Sequence, residues 1–419
     1  MINRFQTRCS TCGHNNTLRI TLGTEDHQEH TFACAGCSLP NRVALDIDFT
    51  KRYPVGGLNP ENIPEKIRGM FTQPHVQFHP IENCEICTEE GTVTNLDPNF
   101  LVPADLLHQE GIFSWMIESR KIGTLENAPQ LPTPHINDII AGIGGVRNIR
   151  KGIITLVKAH SLERAGQHDL RAKIVEEFCS SVGITDNLSV RHFALACANQ
   201  FIGHSEEKSL AMLGEVRACI EKNPNEFRKL HARFAGNFEE ILTRQISILD
   251  EYAKGYDQFS QTLIYAIRGT QIDGDVVASS MDLRTVKMFY GNCFEQLSAG
   301  FDLPACINNI NSGRPHDQFE SMNLQKYLSI NKANRANPFV NNANFSILHN
   351  EFDSTLRNAS HHGALRVYGP KPEILEYRSG DSGNWKKIPF AEYLLRCNKI
   401  MICMMQLLLL EVAVLESIN

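Results

Sequence analysis

The sequence lacks the surplus of positive charge that a general nucleic-acid binder carries: 41 Lys and Arg stand against 47 Asp and Glu in 419 residues, a formal net charge of −6. Attraction of a polyanion draws on clustered Lys and Arg, so any nucleic-acid site in this chain has to be a local patch. Low-complexity tracts, runs of one charge and repeats of fixed period are also missing. With 42% hydrophobic and 21% charged residues, the composition is that of a soluble globular protein that is ordered over most of its length. Long apolar runs are scarce. The longest, 400–415, is bounded or interrupted by Lys399, Gln406, Glu411 and Glu416. It falls short of the roughly 20 apolar residues of a membrane span, which predicts a buried helix. Met1 is followed by polar and charged residues rather than by a basic stretch and an apolar core, so no signal peptide is read and the expected compartment is the cytosol.

Cysteine is what the sequence has in quantity. Thirteen of them in a cytosolic chain point to metal binding and buried thiols rather than disulfides. Cys9-Ser-Thr-Cys12 and Cys34-Ala-Gly-Cys37 form two Cys-x-x-Cys knuckles. In each, a tight turn lets both thiolates face one cation, and together they offer the tetrahedral Cys₄ shell of a structural zinc. Such a shell leaves no open coordination position, so a catalytic role for this zinc is not expected. A second site is conceivable at His75, His79, Cys84 and Cys87, although that spacing matches no common framework. Gly142-Ile-Gly-Gly145 lacks the lysine of a phosphate loop and reads as a loop or helix boundary.

A length of 419 residues predicts two to four domains. Residues 1–50 alternate short β-type runs with turn residues, which suits a small β zinc ribbon. Residues 51–134 read as a mixed connector with one helix over 103–122. From 135 to 275 the pattern is helical, with Phe227, Leu230, Phe234, Ile241, Leu249, Tyr252, Tyr256, Phe259 and Leu263 at mostly three- and four-residue steps. That stripe predicts one long helix or two end to end, bounded by Pro224 and Gly269. Residues 280–419 begin with a helix capped by Asp282, continue through an Asn-rich stretch over 308–344, and add a helix over 345–358. A hairpin over 365–388 and a terminal helix over 391–416 follow. The expected fold is mainly α, with the β ribbon as an appendage.

The most informative segment is Ser354-Thr-Leu-Arg357-Asn358-Ala-Ser-His361-His362-Gly363. Metal-free RNA cleavage needs a base for the 2′-OH, an acid for the leaving 5′-oxygen, and a cation for the charge that grows on the phosphorane. Imidazole titrates near neutrality and serves as either proton carrier, and guanidinium grips phosphate through two parallel hydrogen bonds. Arg357 and His362 supply these groups, Asn358 can orient the His362 ring, and His361 is an alternate proton carrier. Asp353, four residues before Arg357, is placed to pair with it.

An Arg followed by a polar residue and, four to six residues on, by a His at a helix end resembles the signature of HEPN (higher eukaryotes and prokaryotes nucleotide-binding) ribonucleases. The resemblance covers roughly residues 280–419. It implies a helical bundle carrying a β-hairpin and a metal-independent endoribonuclease with Arg357 and His362 at its active site. It also implies a homodimer that places two copies of the motif in one cleft, and a toxin-like effector role in bacterial defence against phage, ending in abortive infection. Two alternatives stay open: a zinc-ribbon nucleic-acid-binding or sensor protein in which the helical fold only dimerises, and the toxin of a toxin–antitoxin pair held by an inhibitory partner. RNA is the expected partner, an activating phage component is a further one that the resemblance implies, and a membrane is not expected.

Overall fold

In the computed structural model, residues 2–22, 26–54, 72–96, 149–181, 188–202, 205–272, 278, 280–369, 371–380 and 383–418 are described. The helix expected over 103–122 and the glycine run at 142–145 lie outside them. The chain divides into two compact units, Met1–Val102 with Asp275–Arg284, and Pro103–Gly274 with Thr285–Asn419.

The first unit is built from strands among its described residues: β1 (Ile2–Cys9), β2 (Asn15–Thr21), β3 (His27–Ala33), β4 (Pro40–Pro54), β5 (Thr72–Glu82), β6 (Cys84–Ile86) and β7 (Thr92–Leu96). They form a four-stranded sheet in the order β6-β1-β2-β7 and a three-stranded sheet in the order β3-β4-β5. Alternate residues point to one side of a strand. Leu18 and Ile20 of β2 thereby meet Phe32 of β3 and Val43, Leu45 and Ile47 of β4 in one buried core, which Leu96 of β7 completes. Phe5 of β1 stacks on Phe78 of β5 with ring centroids 4.4 Å apart. The returning chain is tied on at Ser280, whose hydroxyl accepts the Thr31 N–H at 2.9 Å.

The second unit contains α1 (Ile149–Arg164), α2 (His168–Ser181), α3 (Val190–Asn199), α4 (Glu206–Lys222), α5 (Pro224–Ala235), α6 (Phe238–Lys254) and α7 (Tyr256–Arg268). It continues with α8 (Phe289–Gly300), α9 (Asp302–Asn311), α10 (Ser354–His361) and α11 (Phe390–Glu416), together with a three-stranded antiparallel sheet of β8 (Leu365–Tyr368), β9 (Lys371–Tyr377) and β10 (Lys386–Pro389). Short helical turns occur at Leu283–Val286, Leu324–Ser329 and Ser346–His349.

Helix α11 organises this unit. It is apolar on every side, and a helix of that kind has to be covered on every side. It passes as long and apolar enough to cross a membrane by length and composition, and 89% of its most apolar 18-residue window is buried inside the protein. Helices α3, α4, α5, α7 and α8 pack against it, as do β9 and β10. Two of its buried polar side chains are held by hydrogen bonds: Asn398 accepts from Tyr252 Oη at 2.6 Å and donates to the Phe259 carbonyl and Thr262 Oγ1, while the Oε1 of Gln406 accepts from Ser209 Oγ at 2.8 Å.

The mainly α expectation is corrected. Three sheets are present, and the first unit is formed of strands among its described residues. A ribbon ending at residue 50 would cut β4, whose apolar face needs β5 beside it. A separate helical domain ending at residue 275 would strip α3, α4, α5 and α7 from α11. The apolar stripe over 227–263 is not one or two helices but three, broken at Gly236-Asn237 and at Gly255. At Gly255 the constraint is steric, since a Cβ there would lie 2.7 Å from the Phe259 ring. The segment 308–344 is ordered by its asparagines: Asn323, Asn331 and Asn342 each accept a backbone N–H at the start of a short turn.

Burial raises the Glu411 carboxyl of α11 to about 8, against a hydrogen bond from Gln245 Nε2 at 2.8 Å. The folded state therefore binds a proton that the unfolded chain, titrating near 4.5, releases earlier. Stability tied to this neutral carboxyl is complete below the unfolded value and is lost as pH rises through about 8. Thermal unfolding of Glu411→Gln should show a gain on the order of a few kcal/mol at pH 8 and a much smaller one at pH 5. Equal gains at both pH values would show that the carboxyl is not held neutral.

Candidate functional site

The two cysteine knuckles sit at the turns after β1 and β3, one on each sheet of the first unit. The Gly13 N–H donates to the Cys9 carbonyl at 2.9 Å with φ +73° at the glycine, and the Ser38 N–H donates to the Cys34 carbonyl at 2.8 Å. Knuckle meets knuckle closely enough that a Cβ on Gly36 would fall 2.7 Å from the His14 side chain. The four sulfur atoms of Cys9, Cys12, Cys34 and Cys37 lie within 4.8 Å of one another, with Cys9 to Cys37 at 3.8 Å and Cys12 to Cys34 at 3.6 Å. A tetrahedron with metal–sulfur bonds of about 2.3 Å has edges of about 3.8 Å, so the donor set fits a tetrahedral ion. Burial opposes ionisation of Cys9, but the backbone N–H groups of Cys12 and Thr11 and the neighbouring thiols outweigh it and bring the thiol down to about 6. These four cysteines could bind a metal ion, and among the described residues they are the one group of close ligand atoms that could.

The second set of ligands is not assembled, which corrects that expectation. His75 and His79 belong to β5 in one sheet, whereas Cys84 lies in β6 of the other, opposite Cys9. His79 Nε2 pairs with Asp46 at 3.0 Å, and the His75 ring lies against Tyr53. The Cys84 thiol, raised by burial to about 11, donates to the Arg42 carbonyl at 3.4 Å, and that of Cys87 to the Glu89 carbonyl at 3.5 Å.

The Arg357 motif forms α10. Its N-cap is Asp353, whose carboxylate accepts the N–H groups of Thr355 and Leu356 at 2.7 and 3.1 Å. Leu356, Ala359 and Ser360 are buried, and the helix packs on α8. Arg357 Nε donates to Glu295 Oε1 of α8 at 2.5 Å, Nη2 pairs with the same oxygen, and Nη1 donates to Asn358 Oδ1 at 2.7 Å. Glu295 also pairs with Lys332. Burial raises the Glu295 carboxyl, but the hydrogen bonds from Lys332 and Arg357 prevail and hold it below the ordinary value. The result is a partly exposed triad of two cations and one anion.

The two histidines part company. His361 lies against Gly291 of α8, where a Cβ would come 2.7 Å from its Cδ2. His362 is exposed at the C-cap; its N–H donates to the Asn358 carbonyl at 2.9 Å, and Gly363 follows at φ +68°.

Two details of the sequence reading change here. Asp353 does not pair with Arg357; it caps α10 and pairs with Arg396 of α11 at 3.1 Å, leaving Arg357 to Glu295. The Asn358 side chain is turned to Arg357 and to Ser379 Oγ at 3.0 Å, so the backbone of Asn358, not its amide, meets His362. The sequence assigned no functional role to Glu295, Lys332, Glu351, Tyr290 or Arg396. Glu351 accepts from Arg396 Nε at 2.5 Å, and its backbone carbonyl accepts from Tyr290 Oη at 2.7 Å. Burial raises the Glu351 carboxyl despite the Arg396 charge. All five act across 37 or more positions of chain, which no local pattern announces: 37 from Lys332 to Glu295, 43 from Arg396 to Asp353 and 61 from Tyr290 to Glu351.

The purified chain should carry one metal ion, and Cys9→Ser with Cys12→Ser should remove it and lower the unfolding temperature of the first unit. Metal analysis by mass spectrometry checks this. A stoichiometry near two, or an unchanged content in the double variant, contradicts the assignment. Against protein-family models, curated proteins and solved structures, the chain matches none.

Proposed function

We propose that this chain is a metal-independent endoribonuclease whose chemistry is carried by Arg357 and His362, and that the ion of the cysteine cluster is a structural zinc. The observation that carries the reading is the pairing, on one short helix, of a fixed guanidinium in a net-positive, partly exposed triad with an exposed imidazole at the helix end. The resemblance of the segment to the HEPN signature supports it as well.

The contacts to Glu295 and Asn358 engage three of the five N–H donors that a guanidinium has. Two remain, one on each terminal nitrogen, to donate to phosphate oxygens. Held by Glu295 and Asn358, the group meets the growing charge of a phosphorane without having to reorganise first. His362, on the far side of Asn358 in the chain, takes the proton from the 2′-OH or returns one to the 5′-oxygen. Asn358 is a positioning residue, acting through Arg357. One copy of the site offers one exposed imidazole, and the full reaction uses an acid and a base. A second copy of the chain supplies the other, which makes a homodimer the working form.

With structured RNA as substrate, in EDTA and with the cysteine-bound ion verified as retained, wild-type protein should cut. Arg357→Ala should lose about 10²–10³-fold and His362→Ala about 10²–10⁴-fold in rate, with unchanged circular dichroism. Full activity in His362→Ala would move the proton carrier elsewhere, and an inactive wild type would overturn the reading. In light scattering the wild type should have twice the chain mass; an active monomer would refute the shared site.

A further inference from the structure

We infer that the outer face of the sheet β8-β9-β10 is a docking platform for single-stranded RNA that delivers the strand to Arg357 and His362. The naming of RNA rests on the ribonuclease reading; the platform itself rests on the sheet.

Register assigns the side chains. Arg366 of β8, Glu376 of β9 and Lys387 of β10 stand in one row across the sheet, and Leu365, Tyr377 and Lys386 in the next. Because neighbours along a strand alternate, Leu365, Leu375, Tyr377 and Ile388 share the inner face, where all four are buried and where β9 and β10 pack on α11. The opposite face carries Arg366, Arg378 and Lys387 against one carboxylate, Glu376, which is itself largely covered and pairs with Arg366 at 3.1 Å. In a chain of net negative charge this is a local positive surface of the kind that phosphates require.

The aromatic residues on that face do not fit a merely solvated edge. Trp385 is 39% exposed, and the guanidinium carbons of Arg366 and Arg378 lie 4.2 and 4.7 Å from its ring centre. Lys387 Nζ is 3.5 Å from the Tyr368 ring centre. Cations set against exposed aromatic rings are what single strands use: the bases stack on π-faces and guanidinium planes while the charges follow the backbone. Apolar side chains that would favour a lipid surface are sparse here, with Ile374 half-buried between the strands.

Continuity with the site gives direction to the platform. Ser379, next to Arg378, accepts a hydrogen bond from Asn358 Nδ2 at 3.0 Å, and the same Asn358 receives Arg357 Nη1. Beside it, β8 begins at Leu365, immediately after His362-Gly363-Ala364. Leu365 pairs with Tyr377, so both connections lie at one end of the sheet, and that end is tied to the motif helix.

The test is fluorescence anisotropy of the full chain with a labelled 2′-O-methyl oligouridine, which cannot be cut by 2′-OH attack. Trp385→Ala should weaken binding about ten- to a hundredfold, and Trp385→Phe much less. Lys387→Ala should lower the slope of log affinity against log salt by about 0.7, one phosphate contact on a single strand. Unchanged affinity in Trp385→Ala and Lys387→Ala, with circular dichroism as in the wild type, overturns the platform. So does equal competition by polyglutamate, or tighter binding to vesicles of anionic lipid than to the oligonucleotide. A wild type that binds the oligouridine through Trp385 but cuts no RNA would refute the ribonuclease and leave the platform standing. One that cuts RNA with affinity indifferent to these substitutions would do the reverse.

Discussion

The constraint on which the second unit depends is the burial of one long apolar helix. Helix α11 runs for 27 residues with hardly a polar face, and the chain has to cover it from all sides. Helices that precede the first unit's returning segment in the sequence and elements that follow it are drawn into the same core, so no boundary divides them. The motif helix inherits its place from this core. Arg396, nearly two turns into α11, holds Glu351 and Asp353, and Asp353 in turn caps α10. Arg357 is thereby fixed by a line of contacts that begins on the buried helix, and Glu295 on the neighbouring α8 completes its setting.

The first unit is built differently, from two sheets that share a core. Among the described residues, seven buried apolar side chains form its shared core between two sheets. The cysteine cluster brings the turn after β1 in one sheet to the turn after β3 in the other, so that an ion bound there would link the sheets directly. Binding free energy at such a site becomes folding free energy.

Much of this was legible in the sequence where the signal is local. The four cysteines announced themselves by spacing, the terminal helix by its apolar run, and the start of α5 by Pro224. The end of α7 was equally plain, since Gly269 adopts φ +67° at the C-cap. What the sequence concealed depends on contacts between distant positions. Nothing around residue 295 marks Glu295 as the partner of Arg357, and nearness in the chain suggested Asp353 instead. The proposed second metal site failed for the same reason, because β5 and β6 are adjacent in the chain and belong to different sheets. The helix stripe over 227–263 was continuous in apolarity and broken in backbone, since the breaks lie in residues that the apolar pattern does not weigh.

The central claim is that the guanidinium and imidazole of the motif helix cleave RNA by attack of its own 2′-OH. The end groups of the fragments released from RNA by the wild-type protein test it most directly. Fragments ending in 2′,3′-cyclic phosphate, with 5′-hydroxyl groups on their neighbours, are the predicted result. Fragments with 5′-phosphate ends would assign the attack to an activated water and contradict the account.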